Sequence, residues 1–206
     1  MKLPDRILKP LAFAVCAAPL GWLGYCALGG HLGADPIARV LNELGWWALF
    51  ALLACLACTP LQLLFGWGWP LRIRRMVGLF AFTFATLHLC AYVGLDNAFD
   101  WHDIWADVVK RKFMTVGFAA WLVLLPLALT STAKMTRRLG ARSWRRLHRL
   151  VYLAAALGVV HFVWRVKSDE TVPTRFALAL AMLLGIRMVA ALLGAWQVRR
   201  ARGVGA

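Results

Sequence analysis

The chain has 206 residues, 62% of them hydrophobic and 16% charged, with a formal charge of +15 and a mean hydropathy of +0.67. A composition this apolar excludes an ordinary soluble domain and calls for a polytopic membrane protein. The 24 Lys and Arg stand in short clusters between apolar runs, with no single basic face for a phosphate backbone, so they argue for topology and against a nucleic-acid partner.

Six apolar runs follow in order, at about 11–29, 44–65, 77–95, 113–130, 147–164 and 176–198. Each is close to the roughly 20 residues that cross a hydrocarbon core of about 30 Å. The expected fold is therefore all-α, a membrane helical bundle of six transmembrane helices in one domain over 1–206. With the N-terminus inside, sixteen Lys and Arg face the cytoplasm, at 2–9, 72–75, 134–149 and 199–202, against seven outside. Asp35, Glu43, Asp96, Asp100, Asp103, Asp107, Asp169 and Glu170 fall outside and only Asp5 inside. The Lys and Arg asymmetry places both termini in the cytoplasm of a multi-pass protein. Lys110, Arg111 and Lys112 are the exception, a basic cluster on the outer side.

The first run follows Lys2, Arg6 and Lys9 as a signal peptide would, but its length and Trp22 and Tyr25 mark a retained span. His31 in the next loop reads as a solvated residue. The second run opens on Trp46 and Trp47 and closes on Trp67 and Trp69, an aromatic belt at both interfaces. Gly66, Gly68 and Pro70 end it, and Arg72, Arg74 and Arg75 form an inner loop, either facing lipid headgroups or holding an anion such as a flavin phosphate or haem propionate. Cys55 and Cys58 form a lone CxxC, a weak signal for metal or redox chemistry on a membrane helix.

The third run carries His88, eight residues before Asp96 and so in the outer half. An ionisable side chain in hydrocarbon is by default functional. Beyond it, Trp101, Ile104, Trp105 and Val108 recur at i, i+3, i+4 and i+7, which predicts a short amphipathic helix on the outer surface. Asp100, Asp103 and Asp107 line its wet side as a docking or solvated face, and His102 lies beyond the membrane. Pro126 is expected to kink the fourth span. The basic linker 134–149 suits anionic lipid.

The fifth run has His148 in a basic cluster at the inner mouth and His161 near the outer one. The 13 residues between them amount to about 20 Å along a helix, so they cannot share one small ligand. His161 and His88 lie within about 6 Å in depth and should pair. Arg187 near the middle of the sixth run needs a partner, and with no acid in another span the candidate is a cofactor carboxylate or phosphate, with snorkelling or a backbone carbonyl as the alternative.

Two facing imidazoles from different helices ligate haem iron axially and favour electron transfer over oxygen chemistry. Zinc would want three or four protein ligands at one depth, and a proton relay would want an acid in a span. Haem b is the economical cofactor, with no CxxCH for covalent attachment.

These residues resemble a known family: the haem-binding membrane subunits of the bacterial periplasmic protein-methionine-sulfoxide reductase system, the MsrQ or YedZ family, within the ferric-reductase-like transmembrane domains. The likeness runs along the whole chain, through ATLHLCAYVGLD around His88, TVGFAAWLVLLPLALTSTAKMTRRLG through Pro126, and SWRRLHRLVYLAAALGVVHFVWR around His148 and His161. The resemblance implies an electron conduit in the bacterial inner membrane. It would bind haem b and FMN, draw electrons from the quinone pool or a cytoplasmic flavin reductase, and feed a periplasmic molybdenum-cofactor reductase. By matching position, His88, His148 and His161 are the haem-associated histidines. The chain departs from the two-haem oxidase pattern at Arg74 and Arg75, where a further histidine would stand. It also carries no GxGxxG after a strand, so it is not expected to oxidise NADPH by itself. Two rivals stay open: a quinol-linked cytochrome b subunit of another periplasmic reductase, and a cofactor-free transporter or scaffold.

Overall fold

The fold is that of a computed structural model describing residues 4–166 and 170–203, with side chains through 197. Lys2, Lys167 and Asp169, and the side chains of Arg199, Arg200 and Arg202, all used in the charge count, lie outside the described residues. The elements are α1 (Asp5–Leu28), α2 (Pro36–Phe65), α3 (Trp69–Ala91) extended by a π turn (Tyr92–Asp96), α4 (Trp101–Lys110), α5 (Lys112–Leu129), α6 (Ala133–Leu147), α7 (Leu150–Arg165) and α8 (Thr171–Gly203). No strand occurs among the described residues, and the all-α membrane bundle is as expected.

Five helices, α1, α2, α3, α5 and α8, are each long and apolar enough to cross a bilayer. α7 has 16 residues, or about 24 Å, and reaches that length only with α6, across a bend of 46°. Side-chain contacts fix how the rods alternate. The Arg72–Asp5 ion pair sets the start of α3 beside the start of α1, and Thr130 meets His148 where α5 ends and α7 begins. At the opposite end His88 reaches Leu41 and His161 reaches Phe113. One end is thus rich in arginine, and the other carries Asp96, Asp100, Asp103 and Asp107.

Several boundaries differ from the apolar runs because local chain chemistry overrides hydropathy. Asp35 caps α2 by accepting from the Ala38 N–H at 3.0 Å, with Pro36 in the first turn, so α2 starts well before residue 44. Gly66 ends α2 in the left-handed conformation (φ +69°), but Trp69 and Pro70 open α3 instead of closing α2. Arg72, Arg74 and Arg75 are therefore helical residues of α3, not a loop. The basic linker also folds, as α6, capped by Thr132 and broken at Gly140.

The main core is shared by α2, α3, α5, α7 and α8. Leu52, Leu56, Val77, Leu124, Val159 and Leu180 meet there, and fully buried Ala81, Ala154 and Ala155 let helix backbones approach closely. No polar side chain is fully buried among the described residues. Outward faces are apolar too, including Phe13, Val15 and Trp22 on α1 and Leu178, Met182 and Leu192 on α8, a surface suited to lipid.

Candidate functional site

The structure gathers the candidate residues into two groups, one toward each end of the bundle. His88 is on the last turn of α3 and His161 near the end of α7. Their ring centres are 6.2 Å apart with planes at 78°. Each Nδ1 meets a backbone carbonyl on a neighbouring helix, His88 at 2.9 Å from Leu41 O on α2 and His161 at 2.7 Å from Phe113 O on α5. A carbonyl only accepts, so both imidazoles donate Nδ1–H and keep the Nε2 lone pair as a ligand. A metal-binding histidine usually donates its far ring N–H to a carbonyl or carboxylate in this way.

The spacing also suits one metal. With about 2 Å from each nitrogen to a metal and about 1 Å more from nitrogen to ring centre, two imidazoles on opposite sides stand about 6 Å apart. No group of three His, Cys, Asp or Glu that could hold an ion occurs among the described residues. Two histidines alone do not make a closed zinc site, and they do suit an iron whose other ligands come from a macrocycle.

Both carbonyls are reachable for the same reason. Leu41 is followed four residues later by Gly45, and Phe113 by Gly117. In a helix the side chain at i+4 covers the preceding turn, so glycine there opens the carbonyl at i to a neighbour. A β carbon at Gly45 would lie 3.3 Å from His88 Nδ1, and one at Gly117 would lie 2.5 Å from His161 Nδ1. The expectation from sequence paired the histidines by depth but missed these four positions. The i+4 glycines were the available signal.

The second group, at the arginine-rich end, lines a cavity of about 270 Å³. Arg74, Arg75, Arg145, Arg149, Arg187 and His148 share its wall with Leu52, Leu56, Leu124 and Tyr152, and no Asp or Glu does. Such a wall favours an anion. His148 Nε2 is 3.2 Å from Thr130 Oγ1, and that hydroxyl donates to Pro126 O at 2.6 Å. His148 therefore donates Nε2–H to Thr130 and keeps Nδ1 as its acceptor. Its ring stacks on Trp144 at 3.9 Å, and Trp144 Nε1 donates to Thr130 O at 3.1 Å. His31 and His102 are exposed, away from both groups.

Arg187 has protein partners. Nη2 donates to Leu56 O at 2.6 Å and Nη1 to Tyr152 Oη at 2.8 Å. The Leu56 carbonyl is free because its ordinary helical donor, four residues on, is Pro60, which has no N–H. Arg187 thus satisfies the break that proline makes in α2, as a neighbouring helix must where no water reaches. Arg187→Leu is expected to lower stability by about 1–3 kcal/mol through the orphaned carbonyl, and Tyr152→Phe by about 1 kcal/mol or less. Thermal unfolding in detergent measures both. Equal midpoints for Arg187→Leu and the parent would show that the pairing contributes nothing.

Residues 44–159 match the family described as ferric reductase like transmembrane component, a stretch that includes His88 and His148 and stops two residues before His161. A Rhodospirillum rubrum protein named protein-methionine-sulfoxide reductase heme-binding subunit MsrQ is 54% identical, covering 91% of this chain and 90% of its own length. The chain belongs to the MsrQ family. Proteins of the same name from Caulobacter vibrioides, 43% identical over 97% of this chain and 91% of theirs, and Herminiimonas arsenicoxydans, 44% identical over 94% and 88%, agree. Within this family, the paired histidines of α3 and α7 and the arginine-lined cavity are the features that the geometry singles out.

Proposed function

We propose that this chain is the haem b subunit of a protein-methionine-sulfoxide reductase system, carrying electrons across a bacterial inner membrane for repair of oxidised periplasmic proteins. The observation that carries the reading is the His88–His161 pair, with both Nδ1–H groups donated to carbonyls and both Nε2 atoms left to ligate. Family membership supplies the system, through relatives named as heme-binding subunits. Haem iron, when bound, would be held by His88 and His161 and would supply one-electron transfer. The chain's own part is to hold both imidazoles in one tautomer and orientation through Leu41 O and Phe113 O, and to surround them with apolar helices.

The positive-inside rule supports placing the arginine-rich end and both termini in the cytoplasm. Electrons then enter at the cavity and leave at the aspartate-rich end, to a periplasmic molybdenum-cofactor reductase. The donor is the quinone pool or a cytoplasmic flavin reductase. The cationic wall of Arg74, Arg75 and Arg187 with His148 suits an anionic cofactor group there, an FMN phosphate or the propionates of an inner haem, or a quinone headgroup beside His148. Anionic lipid meets the basic face of α6.

The test is a reduced-minus-oxidised spectrum of purified protein made with ample haem, where low-spin b-type bands are expected and their absence would overturn the reading. Crosslinking followed by co-purification identifies the periplasmic partner. Capture of a different reductase would instead make the chain a quinol-linked subunit of that enzyme. His148→Ala is expected to abolish reduction by the cytoplasmic-side donor while dithionite still reduces the His88–His161 haem. Parent-like rates with the physiological donor would remove His148 from the path.

A further inference from the structure

The expectation that Asp107 lines a wet face of α4 fails, because this carboxylate turns inward. Its side chain is 21% exposed, one oxygen accepts from Tyr92 Oη–H at 3.0 Å, and the other meets Arg111 Nε at 3.0 Å. Both partners stand, along the chain, close to the residues that carry or orient the histidine pair. Tyr92 is buried, one turn beyond His88, and its N–H bonds back to the carbonyls of His88 and Leu89. Arg111 is the N-cap of α5, two residues before Phe113, whose carbonyl holds His161. One carboxylate therefore links the backbone that carries one imidazole to the backbone that orients the other.

The segment between them is built, not slack. Tyr92 opens the π turn, and its carbonyl accepts from Asn97 N at 3.1 Å and Asn97 Nδ2 at 3.0 Å. Ala98 and Phe99 follow with φ of +45° and +64°, left-handed values that cost non-glycine residues on the order of 1 kcal/mol each. Such backbone persists where its surroundings over-determine it. Here Phe99 N bonds to Val93 O at 2.9 Å, and Asp100 caps α4 through the His102 and Asp103 N–H groups. A π turn and adjacent strained residues, placed directly after a ligand-bearing helix, are the features expected where backbone is shaped for a site.

We propose that Asp107 is a positioning residue for the His88–His161 pair, locking the end of α3 to the start of α5 and so setting the separation and ring orientation of the two imidazoles. The proposal rests on the reading that these histidines ligate one iron. It assigns to α4 a role in the site although α4 contributes no ligand.

The test uses the full-length protein in detergent, comparing the parent with Asp107→Ala, Tyr92→Phe, their double variant, Asp107→Asn and His88→Ala. Haem affinity is read by titration, and ring orientation by the g-values of the ferric low-spin signal. Asp107→Ala and Tyr92→Phe are each expected to weaken haem binding by about 10-fold, the lower range for loss of an outer-shell partner, and to move the g-values in the same sense. The double variant should be no worse than the stronger single, because both remove one shared interaction. Asp107→Asn keeps an acceptor oxygen for Tyr92 and should return g-values close to the parent's. Parent-like affinity and g-values in Asp107→Ala, or a lowered unfolding midpoint without any change in g-values, would overturn the positioning role. Tyr92→Phe preserves volume and reads the same link if Asp107→Ala fails to fold. A low-spin signal unchanged in His88→Ala would overturn the ligation reading itself, an outcome distinct from failure of Asp107 alone.

Discussion

Replacing His88 or His161 by alanine is expected to remove the six-coordinate low-spin signal of the outer haem, each change alone being sufficient. Their ring centres stand 6.2 Å apart and no third histidine joins them, so on the proposed ligation removal of either would leave iron with one protein ligand in place of two. Leu41 O in His88→Ala or Phe113 O in His161→Ala keeps its helical donor, the N–H of Gly45 or Gly117, and loses only its second hydrogen bond, a loss of about 1 kcal/mol. His31→Ala and His102→Ala should leave the spectrum untouched, since both side chains are exposed. An unchanged six-coordinate spectrum in purified His88→Ala or His161→Ala protein would refute the pairing.

The second large effect is expected at Gly117. A β carbon there would lie 2.5 Å from His161 Nδ1 and 2.7 Å from its Cε1, distances that require the ring to move. The ring cannot move away without giving up its 2.7 Å bond to Phe113 O, so Gly117→Ala should cost both the tautomer lock and the ligand position. Haem affinity is expected to fall by about 10–100-fold, the usual range for losing an outer-shell partner. Gly45→Ala, where the corresponding contact is 3.3 Å, should be milder because a small tilt of His88 relieves it. Helix propensity alone predicts the opposite sign, since alanine is favoured over glycine by about 1 kcal/mol in a helix interior. Haem titration of the two variants decides, and parent-like binding by Gly117→Ala would show that the close approach is not needed.

Depth along the bundle was legible because a helix rises by a constant step and a bilayer has a fixed thickness. That arithmetic put His88 and His161 at one level and His148 at the other mouth, and the rods carry them there. Azimuth was not legible. Asp107 illustrates the difference: on a helix of alternating Trp and Asp its outward direction looked assured, yet the phenol of buried Tyr92 draws one of its oxygens inward while the other meets the exposed Arg111. Arg187 is a second case. Its demand for a partner was plain from its place in an apolar run, but the partner is a backbone carbonyl freed by Pro60 on another helix, and a carbonyl has no letter in a sequence.

By itself, the sequence determined the all-α membrane class, the order of the apolar rods, the levels of the histidines, and the clustering of cations at one end, all properties of one helix at a time. Tertiary structure alone decided which carbonyls orient the imidazoles, that Gly45 and Gly117 open those carbonyls, and that Arg74, Arg75, His148 and Arg187 share one cavity. Where helices end was set by local caps at Asp35, Gly66 and Thr132, which hydropathy does not register. The physical reason is that hydropathy measures the transfer of a segment into lipid, whereas packing and hydrogen bonds between helices depend on rotation about each axis, which transfer leaves nearly free.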